Sequence, residues 1–209
     1  MQILFGGTFD PIHNGHLKLG LYISELFKQK VDFLPITGLP NYKAPPVATT
    51  EQRIAMLELV TSEYSDNFSI DYSEVNLNEY SPTVDTLRRM NQQFIQPRSF
   101  IIGGDSLISL DIWDEWQELF KYTNFVVASR PKYDFSQMKK ELASFTQDRF
   151  VHNIHEFDET QNGQIFITEF EPISISSTQI RQAINSQQNV IQYLNADVHS
   201  YIIKNKIYN

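Results

Sequence analysis

The chain has 209 residues, enough for one domain of ordinary size with a buried core; its 41% hydrophobic and 20% charged residues mark a globular protein, not a disordered one. A formal net charge of −8 argues against a nucleic-acid partner, because binding a phosphate backbone needs a broad basic face. The longest apolar runs are strand-sized, too short to span a membrane, and with no cysteine there is neither a disulfide nor a thiolate metal site.

Residues 1–5 run straight into a glycine pair and leave no room for a signal peptide, so a cytoplasmic location is expected. Strand-like runs at 3–5, 31–36, 68–70, 99–102, 125–129 and 165–170 alternate with helical patterns at 16–28, 51–63, 83–94, around 114–120 and at 136–145. Ser81 and Pro82 read as an N-cap followed by proline at the first helical position. The alternation predicts an α/β fold, a single Rossmann-like domain with a doubly wound parallel sheet. Its core would be 1–170, followed by a small helical portion at 171–209 with pieces at 177–185, 190–194 and 197–204. The loop 37–49, with Pro40, Pro45 and Pro46, is long for a strand-to-helix connection, as functional loops often are. Residues 147–163 read as a polar, mobile excursion.

Two motifs carry chemistry. The first is GGTFDPIHNGH at 6–16, directly after the first strand and running into a helix. Gly6 and Gly7 permit a tight turn and close approach of backbone N–H groups to a phosphate, with Thr8 and Phe9 next in the turn. A helix starting near Asn14 offers unsatisfied N–H groups and a positive dipole end. His13 and His16, three apart, face the same way on its first turn and can donate to phosphoryl oxygens. The second motif is ISSTQIR at 175–181. Ser176 or Ser177 is a natural N-cap, the hydroxyls and N–H groups of Ser176, Ser177 and Thr178 make a second anion cup, and Arg181 lies one turn on. Taken singly, each has a bland reading: turn glycines with surface histidines, or a serine-capped helix. Neither the G-x-x-x-x-G-K-[ST] nor the G-x-G-x-x-G phosphate motif occurs.

GGTFDPIHNGH together with ISSTQIR resembles the HxGH nucleotidyltransferase superfamily, specifically its nicotinate mononucleotide adenylyltransferase branch, over nearly the whole chain. Further markers are Lys43 in the proline loop with Arg53 in QRIAML, SPTVDTL at 81–87, IIGGDSL at 101–107 followed by Trp113, and Ser129-Arg130-Pro131. The resemblance implies AMP transfer from ATP to the 5′-phosphate of nicotinate mononucleotide, with Mg²⁺ held mainly by the substrate phosphates and no protein metal site. It implies that ATP meets Gly6, Gly7, Thr8, Phe9, His13, His16, Lys43, Gly104, Asp105, Ser176, Ser177, Thr178 and Arg181. His13, His16 and Arg181 would be the catalytic residues. The mononucleotide would meet Thr8, Lys43, Thr83, Trp113, Asp114 and Arg130. Asp105 has two readings, a ribose acceptor or a helix N-cap; Trp113 stacks on a pyridine or fills the core; Arg130 reaches a phosphate or lies in solvent. Trp116 reads as core, and Arg88 and Arg89 as helix surface. Asp114 is expected to cap a helix while pointing to solvent. The histidines at 152, 155 and 199 fit no ligand spacing. Pro82 and Asp114 stand where the branch usually has tyrosine, and Gly104 where alanine or glutamine is commoner. Alternatives are another HxGH adenylyl- or cytidylyltransferase, nicotinamide mononucleotide as preferred substrate, a non-catalytic nucleotide-binding module, and a metal hydrolase. No membrane partner is expected, and a homo-oligomer is compatible with the sequence.

Overall fold

Asn124–Ala128 is buried at every position, with Phe125, Val126 and Val127 at 0% exposure, as a strand covered on both faces must be. The computed structural model, which describes residues 1–36, 45–75, 77, 80–129 and 133–208, gives β1 (Gln2–Gly7), α1 (Asn14–Phe27), β2 (Val31–Pro35), α2 (Thr50–Glu63) and β3 (Phe68–Ile70). Then come α3 (Thr83–Gln93), β4 (Arg98–Gly103), α4 (Gly104–Ile108), α5 (Trp116–Tyr122), β5 (Asn124–Ala128), α6 (Lys140–Thr146) and β6 (Phe150–Val151). The chain finishes with β7 (Ile165–Thr168), α7 (Ser177–Asn185) and α8 (Ala196–Lys204). Among the described residues the strand order is β3-β2-β1-β4-β5-β7-β6. The β1–β4, β4–β5, β5–β7, β6–β7 and β2–β3 pairs all run parallel. This is the α/β, Rossmann-like class that the sequence predicts.

The order turns back between β1 and β4, paired as Ile3 with Ser99 and Leu4 with Phe100. In such sheets ligands bind beyond the carboxyl ends of the strands at that reversal. β1 ends there in Gly6-Gly7, and β4 ends in Gly103. Both glycine-bearing turns therefore leave the strands whose ends matter.

The chain divides into two compact units, one of Met1–Gly6 and Ser81–Pro172, the other of Gly7–Tyr80 and Ile173–Asn209. From Ile173 on, the C-terminal portion clusters with residues 7–80, where α8 packs against α2. No helix among the described residues is long and apolar enough to cross a membrane.

Four local expectations need correction. Residues 147–163 are not a plain excursion: Phe150 and Val151 pair with Ile165 and Phe166, and Phe157 is buried. Arg149 lies over the rings of Phe120 and Phe145, at 5.0 and 4.5 Å. A strand of two residues carries no periodicity to read. In α3, Pro82 is the N-cap, not the first helical residue, and Ser81 does not cap. Its hydroxyl instead accepts from Arg89 at 2.8 Å. α5 begins at Trp116, behind Glu115 in a left-handed conformation (φ 45°), so Asp114 sits in a turn and caps nothing. In 136–145 the regular helix occupies only the stretch from Lys140 on, preceded by a 3-10 turn at Phe135–Gln137, and the piece at 190–194 is a 3-10 turn at Ile191–Tyr193.

Candidate active site

His13 is the N-cap of α1, and the local pattern is a capping box built from imidazoles. Nδ1 of His13 accepts from the Gly15 N–H at 3.1 Å, and Nδ1 of His16 accepts from the His13 N–H at 3.3 Å. An imidazole nitrogen that accepts is unprotonated, so each neutral ring carries its proton on Nε2. The rings stack with centroids 3.7 Å apart and 22° between planes, and Phe9 meets His16 edge-on at 5.2 Å. Burial lowers the pKa of His13 to about 4. Enclosure, with the His13 ring alongside, holds His16 well below its ordinary 6.5. At neutral pH the pair is therefore two uncharged N–H donors.

The motif's glycines serve these rings. A Cβ on Gly15 would stand 2.9 Å from the His13 ring, and one on Gly7 2.9 Å from the Phe9 ring. One on Gly6 would stand 2.5 Å from Phe100. Crowding by aromatic side chains, not backbone dihedral need, excludes a side chain at these positions. The residue that does adopt positive φ is Phe9 (49°), buried at 2% exposure, at a cost of about 1–2 kcal/mol for a residue with a Cβ.

The second motif docks on the first. Ser176 caps α7 in a second capping box with Gln179. The Ser177 hydroxyl donates to the Pro11 carbonyl at 2.9 Å, and Arg181 Nη1 donates to the Asp10 carbonyl at 2.6 Å. Its Nη2 donates to Thr178 Oγ1 at 3.2 Å. From α2, Arg53 Nη1 donates to the Thr8 carbonyl at 2.6 Å and to the Ile36 carbonyl at 2.9 Å. Three carbonyls of the turn, at Thr8, Asp10 and Pro11, thus each receive a donor from a distant helix. The Ser177 hydroxyl proton is committed, which leaves its backbone N–H for an anion. One edge of the Arg181 fork is likewise occupied.

The remaining expected residues lie in the other unit or outside the described residues. Thr83 is the first residue of α3, whose leading N–H groups the helix itself leaves unpaired. Trp113 is half-buried between a 3-10 turn and α5, and Asp114 beside it is exposed. Trp116, read as core, is half-buried with its ring edge-on to Phe145 at 5.0 Å. Gly104 lies under the Tyr133 ring, 3.1 Å from where its Cβ would be. Asp105 is in the first turn of α4 and is not its N-cap, which is Gly103; its exposed carboxylate accepts from the Tyr133 hydroxyl. Lys43 and Arg130 lie outside the described residues.

The family model described as Cytidylyltransferase-like matches residues 4–183. The chain is 31% identical to a "Probable nicotinate-nucleotide adenylyltransferase" of Marinomonas sp. (strain MWYL1), covering 98% of this chain and 93% of that one. It is 34% identical to a protein of the same name from Yersinia pestis (strain Pestoides F), covering 97% and 92%. The chain belongs to the cytidylyltransferase-like family and, within it, to the nicotinate-nucleotide adenylyltransferases. The fold is also that of the Plasmodium falciparum nicotinic acid mononucleotide adenylyltransferase complexed with NaAD, at TM-score 0.75 and 19% identity over 99% of this chain and 96% of that one.

Three residues with structural roles escaped the sequence reading. Asp10 is buried at 3% exposure inside the first motif, a charge among turn residues that itself was a signal. Arg53 was visible only as a marker, yet at 1% exposure it holds the motif's turn. Arg88, read as helix surface, grips Glu115 with both Nη atoms, at 2.8 and 2.5 Å, and so ties α3 to the turn carrying Trp113. No local pattern announces a partner 27 residues away.

Proposed function

We propose that the chain transfers AMP from ATP to the 5′-phosphate of nicotinate mononucleotide, giving nicotinate adenine dinucleotide and pyrophosphate in NAD biosynthesis. The observation that carries this is the stacked His13–His16 pair, neutral and with Nε2–H donors, at the start of α1. A phosphate monoester has its second pKa near 6, so at neutral pH the acceptor is already an anionic nucleophile and needs no base. One of its oxygens bonds to the α-phosphorus of ATP as the bond to the bridging oxygen of pyrophosphate breaks. Charge grows on the phosphoryl oxygens, and what the protein must supply is alignment and donors aimed at them.

His13 and His16 are suited to that task and unsuited to abstracting protons, since each Nδ1 is engaged by a backbone N–H. The same engagement disfavours a metal-hydrolase reading, because ligation through Nε2 would move the proton to Nδ1 and break the cap. Arg181 holds triphosphate oxygens with the donors it does not give to Asp10 and Thr178. The N–H groups of Ser177 and Thr178 at the α7 start, with Gly6, Gly7, Thr8 and Phe9, complete the ATP side, and Lys43 joins them. Gly104 and Asp105 take the adenosine; Thr83, Trp113, Asp114 and Arg130 take the mononucleotide.

Among the described residues no three His, Asp or Glu side chains converge on a point, and the groups at the α1 start are donors. Such a set fits phosphates that carry their own Mg²⁺ and waters, and the ion would supply neutralisation of phosphate charge.

Incubation with ATP, Mg²⁺ and a panel of nicotinate mononucleotide, nicotinamide mononucleotide and phosphopantetheine tests the reading. Pyrophosphate should appear one-for-one with nicotinate adenine dinucleotide. Turnover only with phosphopantetheine, or only when CTP replaces ATP, would move the chain to another branch.

A further inference from the structure

The buried Asp10 carboxylate has more partners than the proposed chemistry asks of it. Its Oδ1 accepts from the Ala48 N–H at 3.0 Å and from the Tyr208 hydroxyl at 2.8 Å. Its Oδ2 accepts from the Val47 N–H at 2.8 Å and stands 3.5 Å from Arg181 Nη1. Tyr208 comes almost at the end of the chain, in a left-handed conformation (φ 71°), and is buried at 7% exposure. Burial and the neighbouring carboxylate push its hydroxyl well above the usual tyrosine range, so it stays a donor. A side chain from the far terminus has therefore been brought to one oxygen inside the first motif.

We propose that Tyr208 is a positioning residue for ATP. With Val47 and Ala48 it completes the donor set of Asp10, and Asp10 in turn aims Arg181 and fixes the backbone entering α2. Asp10 presents Arg181 with two acceptors at once, its carbonyl at 2.6 Å and its carboxylate at 3.5 Å. A carboxylate free to rotate about its χ angles would pull that guanidinium with it; one held by two N–H groups and a phenol cannot. The phenol is the only one of the three that a side-chain substitution can remove. The turn it serves also receives donors from Arg53 and Ser177, so loss of the phenol should misplace Arg181 while the fold persists.

The proposal rests on the ATP site described above, and calorimetric titration with ATP and Mg²⁺, in the absence of any mononucleotide, tests it apart from the acceptor. Tyr208→Phe keeps the ring and its packing. It should weaken ATP about tenfold, the scale of one hydrogen bond to a buried charged group. Asp10→Asn should weaken ATP by a similar factor. The double variant should lose no more than about the worse single, because both act through one carboxylate. In steady-state assays the Tyr208→Phe loss should fall on kcat/KM for ATP, with KM for the mononucleotide within twofold of wild type. ATP affinity within twofold of wild type in Tyr208→Phe would overturn the proposal. So would additive losses in the double variant, or equal losses for both substrates. Should Tyr208→Phe not fold, Asp10→Asn alone decides, since undiminished ATP affinity there leaves Tyr208 nothing to act through. A wild-type protein that binds ATP but forms no nicotinate adenine dinucleotide would sink the functional reading and leave this one standing.

Discussion

The turn at residues 8–16 and the turn at residues 103–116 are held by different physics. In the first, the carbonyls of Thr8, Asp10 and Pro11 receive donors from Arg53, Arg181 and Ser177, and the His13 and His16 rings are locked by their own backbone. In the second, Asp105 and Asp114 are exposed and Trp113 is half-buried. There the Arg88–Glu115 pair, with side chains 29% and 54% exposed, does the tying. Buried hydrogen bonds are unforgiving, because breaking one strands a partner away from water; exposed ion pairs are tolerant, because water replaces what is lost. The region proposed for phosphate chemistry is thus built for accuracy, and the region proposed to receive the adenosine and the acceptor is built with slack.

That contrast can be broken at several points. The largest effect is expected at His16. His16→Ala should lower kcat by about 10²–10³, the usual cost of one donor aimed at transition-state charge, with the far-UV spectrum unchanged. His13→Ala should be comparably severe, and the double variant should cost less than the two singles combined. An unchanged kcat in His16→Ala would take it out of the mechanism.

Acid should expose the same buried pair. An unfolded histidine titrates near 6.5, whereas His13 in the fold titrates at about 4. Between those values the unfolded chain takes up a proton that the folded chain refuses, so stability is full above about pH 7 and falls as the pH drops toward 4. For His13 the loss approaches about 3 kcal/mol. Denaturant unfolding at pH 7 and pH 4.5 should show this slope, and His13→Asn, which keeps a capping side chain, should flatten it. Equal slopes in the two proteins would mean that His13 is not held neutral by burial.

Arg181→Lys keeps the charge but loses the planar fork that reaches Asp10 and Thr178 together. Its kcat/KM for ATP should fall about tenfold while KM for the mononucleotide stays put; intact ATP affinity and turnover would undo the assignment. The smallest effect belongs to the second turn. Glu115→Ala removes an exposed pair and should raise KM for the mononucleotide only about threefold, leaving kcat alone. A loss as large as that of His16→Ala would erase the distinction between the two regions.

The sequence made the first region legible and the second only partly so. GGTFDPIHNGH and ISSTQIR announce themselves because each is a strand-end or helix-start pattern with its own capping residues, and the capping boxes at His13 and Ser176 are local in sequence. Their docking on each other was inferable only from resemblance. The second region misled for local reasons. Glu115 takes a left-handed conformation, which delays α5 to Trp116 and leaves Asp114 in a turn. Pro82 ends up one place earlier than a first-turn proline would be. β6 was missed because its two residues gain their structure from β7, not from any pattern of their own. Tyr208 carries no local signal at all, since its partner lies 198 residues away.

Thr83 opens α3 whereas Asp114 opens no helix, so of these two residues proposed for the mononucleotide only Thr83 has a helix-start N–H to offer a nicotinate carboxylate. The helix dipole there still favours the acid: a carboxamide can turn its carbonyl oxygen to that N–H, but it brings no negative charge to the helix start or to the hydrogen bond, a difference of about 1–2 kcal/mol. The most direct measurement is kcat/KM for nicotinate and nicotinamide mononucleotides at saturating ATP. The acid should win by about tenfold or more, with nicotinate adenine dinucleotide as the product. Equal values, or a preference for the amide, would contradict the account.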